Sequence, residues 1–159
     1  MNNERLEQAQ AWVEAIELAA FVYNLTSVAS EAFAAKDSLK QQLEQAALSV
    51  SNGIAAAFPL PPNDLVQGLQ RAQSSAMQVR SMLCLVERFP AFGSFGPLLA
   101  DVKSKCDRCS SELQAWIGSA KQGATNGHPI VDHAREEERR RIAREKRAVF
   151  EGLRQMNGA

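Results

Sequence analysis

The chain has 159 residues, of which 45% are hydrophobic and 23% are charged, and its formal net charge is zero. A chain of this length fits one domain with room for a short appendage. Residues 1–122 carry ten Lys/Arg against twelve Asp/Glu, whereas residues 123–159 carry eight against six. This balance argues against a folded part that binds nucleic acid through bulk positive charge.

Composition favours helix nearly throughout, because Ala, Leu, Gln, Glu and Arg outnumber the β-branched residues and only six prolines and nine glycines interrupt them. No apolar run reaches the length of a bilayer, and the polar, acidic start MNNERLEQ is unlike a secretory signal. We therefore expect a soluble, cytoplasmic protein that does not contact membranes.

Two amphipathic helices are predicted first. Asn2 or Asn3 can cap a helix that continues to about Thr26 or Ser30, and a second helix starts near Ala35 to Asp37 and ends before Pro59. Apolar residues at three- and four-residue spacing predict the buried stripes. They are Ile16, Ala19, Ala20 and Tyr23 on the first helix, and Leu39, Leu43, Ala46, Ala47, Val50 and Ile54 on the second.

Two further helices follow a stiff, extended connection that is predicted at Pro59–Pro62. The third helix runs from about Leu65 to Arg88 with Asn63 or Asp64 as its cap, and the fourth runs from about Leu98 to Lys121. Between them lies a turn over 89–97 whose three phenylalanines must be buried. Short connections between long helices predict an all-α fold, an antiparallel up-down four-helix bundle over 1–122.

The C-terminal part is predicted to be a different kind of helix. A linker over 123–131 precedes a charged helical tail over 132–159, in which Glu136, Glu137 and Glu138 stand three to four residues before arginines. Such pairs stabilise a helix without a core. The tail is expected either to project into solvent or to dock on a partner.

Cys106 and Cys109 form the only motif with a chemical character, since two thiols three residues apart on a helix can supply half of a zinc site or a redox pair. No second CxxC and no nearby histidine accompanies them, which favours a packed pair. His128 and His133 are interpreted as solvated linker residues, and Cys84, within an apolar run, as a small hydrophobe. We predict no catalytic residue, no metal site, no cofactor and no small-molecule substrate.

A longer pattern spans the first two helices, AxELAxxVYxLT followed by LxxQLxxAAxSVxxxIA. It resembles the small four-helix bundle proteins encoded in intervening sequences of bacterial large-subunit rRNA genes, a family that includes the accessory variability determinant of diversity-generating retroelements. The resemblance covers roughly residues 10–120. Its residues here are Ala15, Glu17, Leu18, Ala19, Val22, Tyr23, Leu25, Thr26, Leu39, Gln42, Leu43, Ala46, Ala47, Ser49, Val50, Ile54 and Ala55.

The resemblance implies a homo-oligomeric ring, a homopentamer in typical members. In the retroelement members the ring binds a reverse transcriptase and structured RNA. Apolar groups left over from the core, such as Phe21, Phe33 and Leu48, would then close the subunit interfaces.

The chain departs from the family pattern at the positions where paired arginines usually follow the Gln-Leu of the second helix. Glu44 and Gln45 stand there instead, and Gln78 replaces an acidic residue of the third helix. The candidates that remain for binding nucleic acid are Lys36, Lys40, Arg71 and Arg80 on the bundle, with Arg139, Arg140, Arg141, Arg144, Lys146 and Arg147 on the tail. The interleaved acids of the tail favour a solvated helix over a phosphate-binding one.

Two functions follow as hypotheses. The first is a non-enzymatic, oligomeric accessory or scaffold protein that binds a reverse transcriptase and structured RNA, as the resemblance implies. The second is a protein-binding adaptor or assembly module without nucleic-acid binding, which the nearly neutral bundle favours. A thiol enzyme or metalloprotein using Cys106 and Cys109 would require bound metal or a reactive thiolate of low pKa.

Overall fold

The computed structural model describes residues 3–123 together with Arg141 and Arg144, and helices make up most of residues 3–123, where no strand occurs. The predicted all-helical class is therefore confirmed over this range. In chain order the helices are α1 (Asn3–Glu7), α2 (Gln10–Val28), α3 (Ser30–Phe33), α4 (Asp37–Ala57), α5 (Pro62–Val86) and α6 (Gly96–Lys121), with a 3-10 segment at Pro90–Phe95.

The four long helices contact one another in a closed order, in which α2 packs on α4, α4 on α5, α5 on α6 and α6 on α2. Glu14 and Glu17 of α2 pair with Arg108 and Lys105 of α6, so residue numbers that rise along one helix fall along the other. α2 and α6 are therefore antiparallel. The pairs Arg80–Asp107 and Glu87–Lys103 show the same order for α5 and α6. For α4 and α5, the close approaches of Gly53 to Ala72 and of Ala57 to Gly68 show it.

The first predicted helix is not continuous, because the chain breaks between α1 and α2. Ala9 has an extended backbone with φ −73° and ψ 113°, and its side chain is fully buried. The turn at Ala9 allows Leu6 of α1 to pack against the core. The prediction of one helix from Asn2 or Asn3 was wrong for this reason.

Of the four residues predicted to face the core from the first helix, only Ala19 is buried. Ile16 and Tyr23 are more than 40% exposed, and Ala20 is exposed as well. The face that enters the core is formed by Ala11, Ala15, Leu18, Val22 and Leu25. α2 is apolar around most of its circumference, so three- and four-residue spacing can be traced on more than one face.

The other long helices lie close to their predicted bounds. α4 spans the predicted second helix and α6 ends at the predicted Lys121, while α5 begins at Pro62 rather than after Asn63 or Asp64. Pro62 occupies the first turn, where a missing N–H costs nothing and the fixed φ suits a helix. The short helix α3 was not predicted.

Two glycines allow the close approach of α4 and α5. A Cβ built on Gly68 would lie 2.4 Å from the Cβ of Ala57, and one built on Gly53 would lie 3.4 Å from the Cβ of Ala72. Gly68 therefore has no room for a methyl group, whereas Gly53 has room for one in ordinary contact. The two helices are held at short distance by small side chains at both points.

An aromatic cluster closes the end of the domain at which the α2–α4 and α5–α6 connections lie. Phe33 from α3 and Phe92 from the 3-10 segment are both buried, with ring centroids 4.7 Å apart in an edge-to-face arrangement. Phe89 and Phe95 are half-buried beside Phe92. The prediction that the turn over 89–97 buries its rings is confirmed fully for Phe92 and in part for the other two.

Candidate interaction surface

The CxxC pair of α6 is buried and chemically closed. Cys106 and Cys109 are both fully buried, and Cys106 Sγ donates to the carbonyl of Ala76 at 3.1 Å. Burial raises the pKa of Cys106 to about 11 and that of Cys109 to about 12. At neutral pH both groups are protonated thiols, which are poor nucleophiles and poor metal ligands. The predicted packed pair is confirmed.

Cys84 behaves differently from the prediction, because its side chain is exposed. It lies on α5, and Nη1 of Arg80 donates to its Sγ at 3.5 Å. The apolar run Met82–Val86 surrounds it in sequence, but Leu83 and Val86 take the buried face, so Cys84 and Leu85 point away from the core. The interpretation of Cys84 as a core hydrophobe was wrong.

No metal site is found in the part of the chain that the structure describes, where no three His, Cys, Asp or Glu residues come together. His128 and His133 lie outside the described residues. The linker over 123–131 and the tail over 132–159 also lie outside them, apart from Gly123, Arg141 and Arg144.

The structure does not bring the four basic candidates of the helical domain together. Lys36 lies before α4, with Nζ 4.6 Å from the centroid of the Phe89 ring, and Arg80 on α5 is paired with Asp107 at 2.9 Å. Lys40 is half-buried near the start of α4, and Arg71 is exposed near the middle of α5. Lys36 and Lys40 are one helical turn apart, and the backbone N–H of Lys40 donates to the carbonyl of Lys36, whereas Arg71 and Arg80 are nine residues apart on α5.

Burial lowers the pKa of Arg80, but the hydrogen bond and the negative charge of Asp107 outweigh that effect and raise the pKa overall. Its guanidinium is therefore held by a partner on α6. Of the tail candidates, Arg141 and Arg144 are helical and exposed. Arg139, Arg140, Lys146 and Arg147 lie outside the described residues.

α6 carries the electrostatic contacts of the domain. Seven of its 26 residues are charged, whereas α4 and α5 carry three charged residues each in 21 and 25 residues. Ion pairs join α6 to its two neighbours. They are Glu14–Arg108 and Glu17–Lys105 towards α2, and Arg80–Asp107 and Glu87–Lys103 towards α5.

The Glu14–Arg108 pair differs from the others because Glu14 is only 3% exposed. Its Oε1 accepts a hydrogen bond from Gln10 and forms an ion pair with the exposed Arg108, each at 3.2 Å, while its buried Oε2 has no hydrogen-bond partner in the described part of the chain. A buried carboxylate with one unsatisfied oxygen is costly unless its cation stays in place.

The contact between α4 and α5 contains no ion pair within residues 3–123. Its outer side forms a groove of about 480 Å³, which we name the neutral groove. None of the residues that line it is charged. They are Gln42, Gln45, Ala46 and Ser49 from α4, and Gln78, Ser81 and Met82 from α5.

Several apolar side chains point outward from α2, α4 and α5. Leu48 on α4 is 38% exposed and Met77 and Leu85 on α5 are about half exposed, in addition to Ile16 and Tyr23 on α2. Phe21 is half-buried, and the ammonium of Lys105 lies 5.4 Å from its ring centroid.

Phe33, expected at a subunit interface, is instead fully buried against Phe92. That expectation was wrong, because the turn at α3 directs the ring into the end of the core. Leu48 is exposed, and a role for it and for Phe21 in subunit contacts stays a prediction.

Comparison with known proteins adds no relative: no family model, no curated protein and no solved structure matches the chain. Within residues 3–123, no helix is both long enough and apolar enough to cross a bilayer. The candidate interaction surface comprises the neutral groove and the exposed apolar side chains of α2, α4 and α5.

Proposed function

We propose that this protein is a non-enzymatic scaffold whose four long helices form an up-down four-helix bundle, and that it associates with copies of itself and with a partner protein. The observation that carries this proposal is the uneven distribution of charge. α2, α4 and α5 expose amides and apolar side chains, and α6 collects the ion pairs.

Protein interfaces are depleted of charged residues at their centre and enriched in Met and aromatic residues. The outer face of α2, α4 and α5 has this composition, with Tyr23, Leu48 and Met77 exposed among glutamines and serines. The buried thiols support the non-enzymatic part of the proposal, because Cys106 and Cys109 were the strongest candidates for chemistry and both are protonated and enclosed.

A second candidate function adds RNA and a reverse transcriptase as partners, as the family resemblance implies. Lys40 and Arg71 favour it, because neither forms a side-chain hydrogen bond or ion pair within residues 3–123. Arg80 and Lys36 favour it less, since Asp107 and the Phe89 ring already engage them. Two dispersed cations on the bundle are few for a site that must neutralise several phosphates.

The experiment that tests the proposal measures the mass of the full-length protein in solution by light scattering over a range of concentrations. We expect a multimer whose mass is insensitive to moderate salt, because the contacting surface is neutral. Co-expression with any reverse transcriptase encoded beside it, and titration with structured RNA at several salt concentrations, separate the two candidates. A monomer that retains neither protein nor RNA would overturn both.

A further inference from the structure

We propose that the neutral groove is the place where two copies of this chain meet across a two-fold axis, with α4 of each copy lying against the groove of the other. This inference rests on the self-association in the proposed function and assigns it a surface and a two-fold symmetry, in place of the ring that the family resemblance implies. It predicts an isologous contact, in which both copies use the same residues.

The absence of charge in the neutral groove disfavours charged occupants. The charged residues nearest in sequence to the lining are Glu44 and Arg80, and both are engaged away from the groove. Thr26 of α2 donates to Glu44 at 2.6 Å, and Arg80 pairs with Asp107 of α6. A nucleic acid or a charged peptide would therefore lose hydration in the groove without gaining an opposite charge.

A second copy of the chain can form hydrogen bonds with the glutamines of the groove, because amide groups both donate and accept. Each glutamine side chain carries a carbonyl acceptor and an NH₂ group with two donors, so an amide surface can hydrogen-bond to an identical surface. The side chains of Gln45 and Gln78 make no hydrogen bond within the described residues and are available for this. On a two-fold axis a charged surface would instead place like charges opposite each other.

The spacing along α4 fits such an axis. Gln42, Gln45 and Ser49 share one helical face, and Gln42 and Ser49 stand at equal distances from a point between residues 45 and 46. If two α4 helices cross antiparallel at that point, Gln42 of each copy faces Ser49 of the other and Gln45 lies beside its own counterpart. The exposed Leu48 adds apolar area at the edge of the contact.

The test uses two variants of the full-length protein, Q45E and Q45R. Each alone places two like charges next to the axis, and we expect its self-association to weaken by about 100-fold, since like charges in an interface cost several kcal/mol. An equimolar mixture should recover the wild-type mass, because the two introduced charges are opposite. Native mass spectrometry should show mixed pairs in preference to like pairs.

Matched controls come from Gln114, an exposed glutamine of α6 outside the neutral groove. Q114E and Q114R should leave the association unchanged, and circular dichroism should show that all four variants remain helical. If the wild type is a multimer that Q45E and Q45R do not affect, only this inference fails. If each variant dissociates and the mixture does not recover, the contact is not two-fold.

A monomeric wild type would overturn this inference and the self-association of the proposed function together. If Q45E and Q45R lose a protein or RNA partner while their self-association is unchanged, the groove belongs to that partner and the inference is wrong.

Discussion

The α6 side and the α4–α5 side of this domain differ in the kind of residues found where their helices meet. Both sides contribute to one apolar core, but ion pairs border that core where α6 meets its neighbours, whereas α4 and α5 approach closely through Gly53 with Ala72 and Gly68 with Ala57. Most of the pairs on α6 are partly exposed and contribute little stability, but they set its register. On the other side, the neutral groove between α4 and α5 is lined by no charged residue.

The largest expected difference is in thiol reactivity, which tests whether the α6 side is closed. At neutral pH, Cys84 should react with a disulfide reagent at the rate of an exposed thiol. Cys106 and Cys109 should react at least about 100-fold more slowly than Cys84, because their reaction requires local or global unfolding. Mass-resolved labelling over time measures this. Equal rates at all three positions would show that α6 opens readily.

Gly68→Ala tests close packing on the α4–α5 side. We expect it to lower the free energy of unfolding by about 2 kcal/mol, because the new methyl group overlaps Ala57 and the helices must separate. Gly53→Ala is the matched control, and it should be neutral or stabilising by up to about 1 kcal/mol because its methyl group fits and alanine favours helix. Urea unfolding measures both.

Adding Ala57→Gly to Gly68→Ala should restore part of the loss, since it moves the methyl group from one helix to the other. A Gly68→Ala protein as stable as the wild type would mean that α4 and α5 are not held at this distance.

Arg108→Met tests the one ion pair of α6 whose acidic partner, Glu14, is buried among the described residues. It should cost about 1–2 kcal/mol, because it leaves the Glu14 carboxylate buried with only Gln10 as a partner. Combining it with Glu14→Gln should recover most of the loss. Lys105→Met is the control, and its effect should be smaller because its partner Glu17 is about half exposed. If Arg108→Met and Lys105→Met lower the stability equally, the burial of Glu14 has no special role.

The smallest effect expected is the pH dependence from Glu17. The hydrogen bond and the positive charge of Lys105 hold the pKa of Glu17 below its ordinary value of 4.5. This contribution to stability is fully present above that value and is lost as pH falls through the lower pKa of the folded state. Glu17→Gln should therefore slightly flatten the fall in melting temperature between neutral pH and about pH 3. An unchanged profile would show that the pair contributes nothing.

Much of the fold was predictable from the sequence, because α4, α5 and α6 have one polar and one apolar side. The buried residues of α4, such as Leu43, Val50 and Ile54, occupy the stripe predicted for the second helix. α2 was not predictable in the same way. Ile16 and Tyr23 have the correct spacing for a core face, and only the positions of the neighbouring helices decide that Leu18 and Val22 are buried instead.

The candidate surface was less predictable than the fold. Gln45 and Gln78 are departures from the family pattern. They line the same groove only because of the way α4 and α5 are aligned. Gly53 and Gly68 allow the close approach of these two helices. Cys84 shows the same difficulty on a smaller scale, since one helical step separates an exposed position from the buried Leu83.

The edge-to-face contact of Phe33 and Phe92 has a consequence for how the chain can be divided. It joins the two connections at one end of the domain, whereas the link at Pro59–Pro62, with the exposed Leu60, lies at the opposite end. A break there would separate the 159-residue polypeptide into pieces of 60 and 99 residues that still share the contact of Phe33 with Phe92. Such pieces, expressed as separate fragments, should find each other and rebuild the domain.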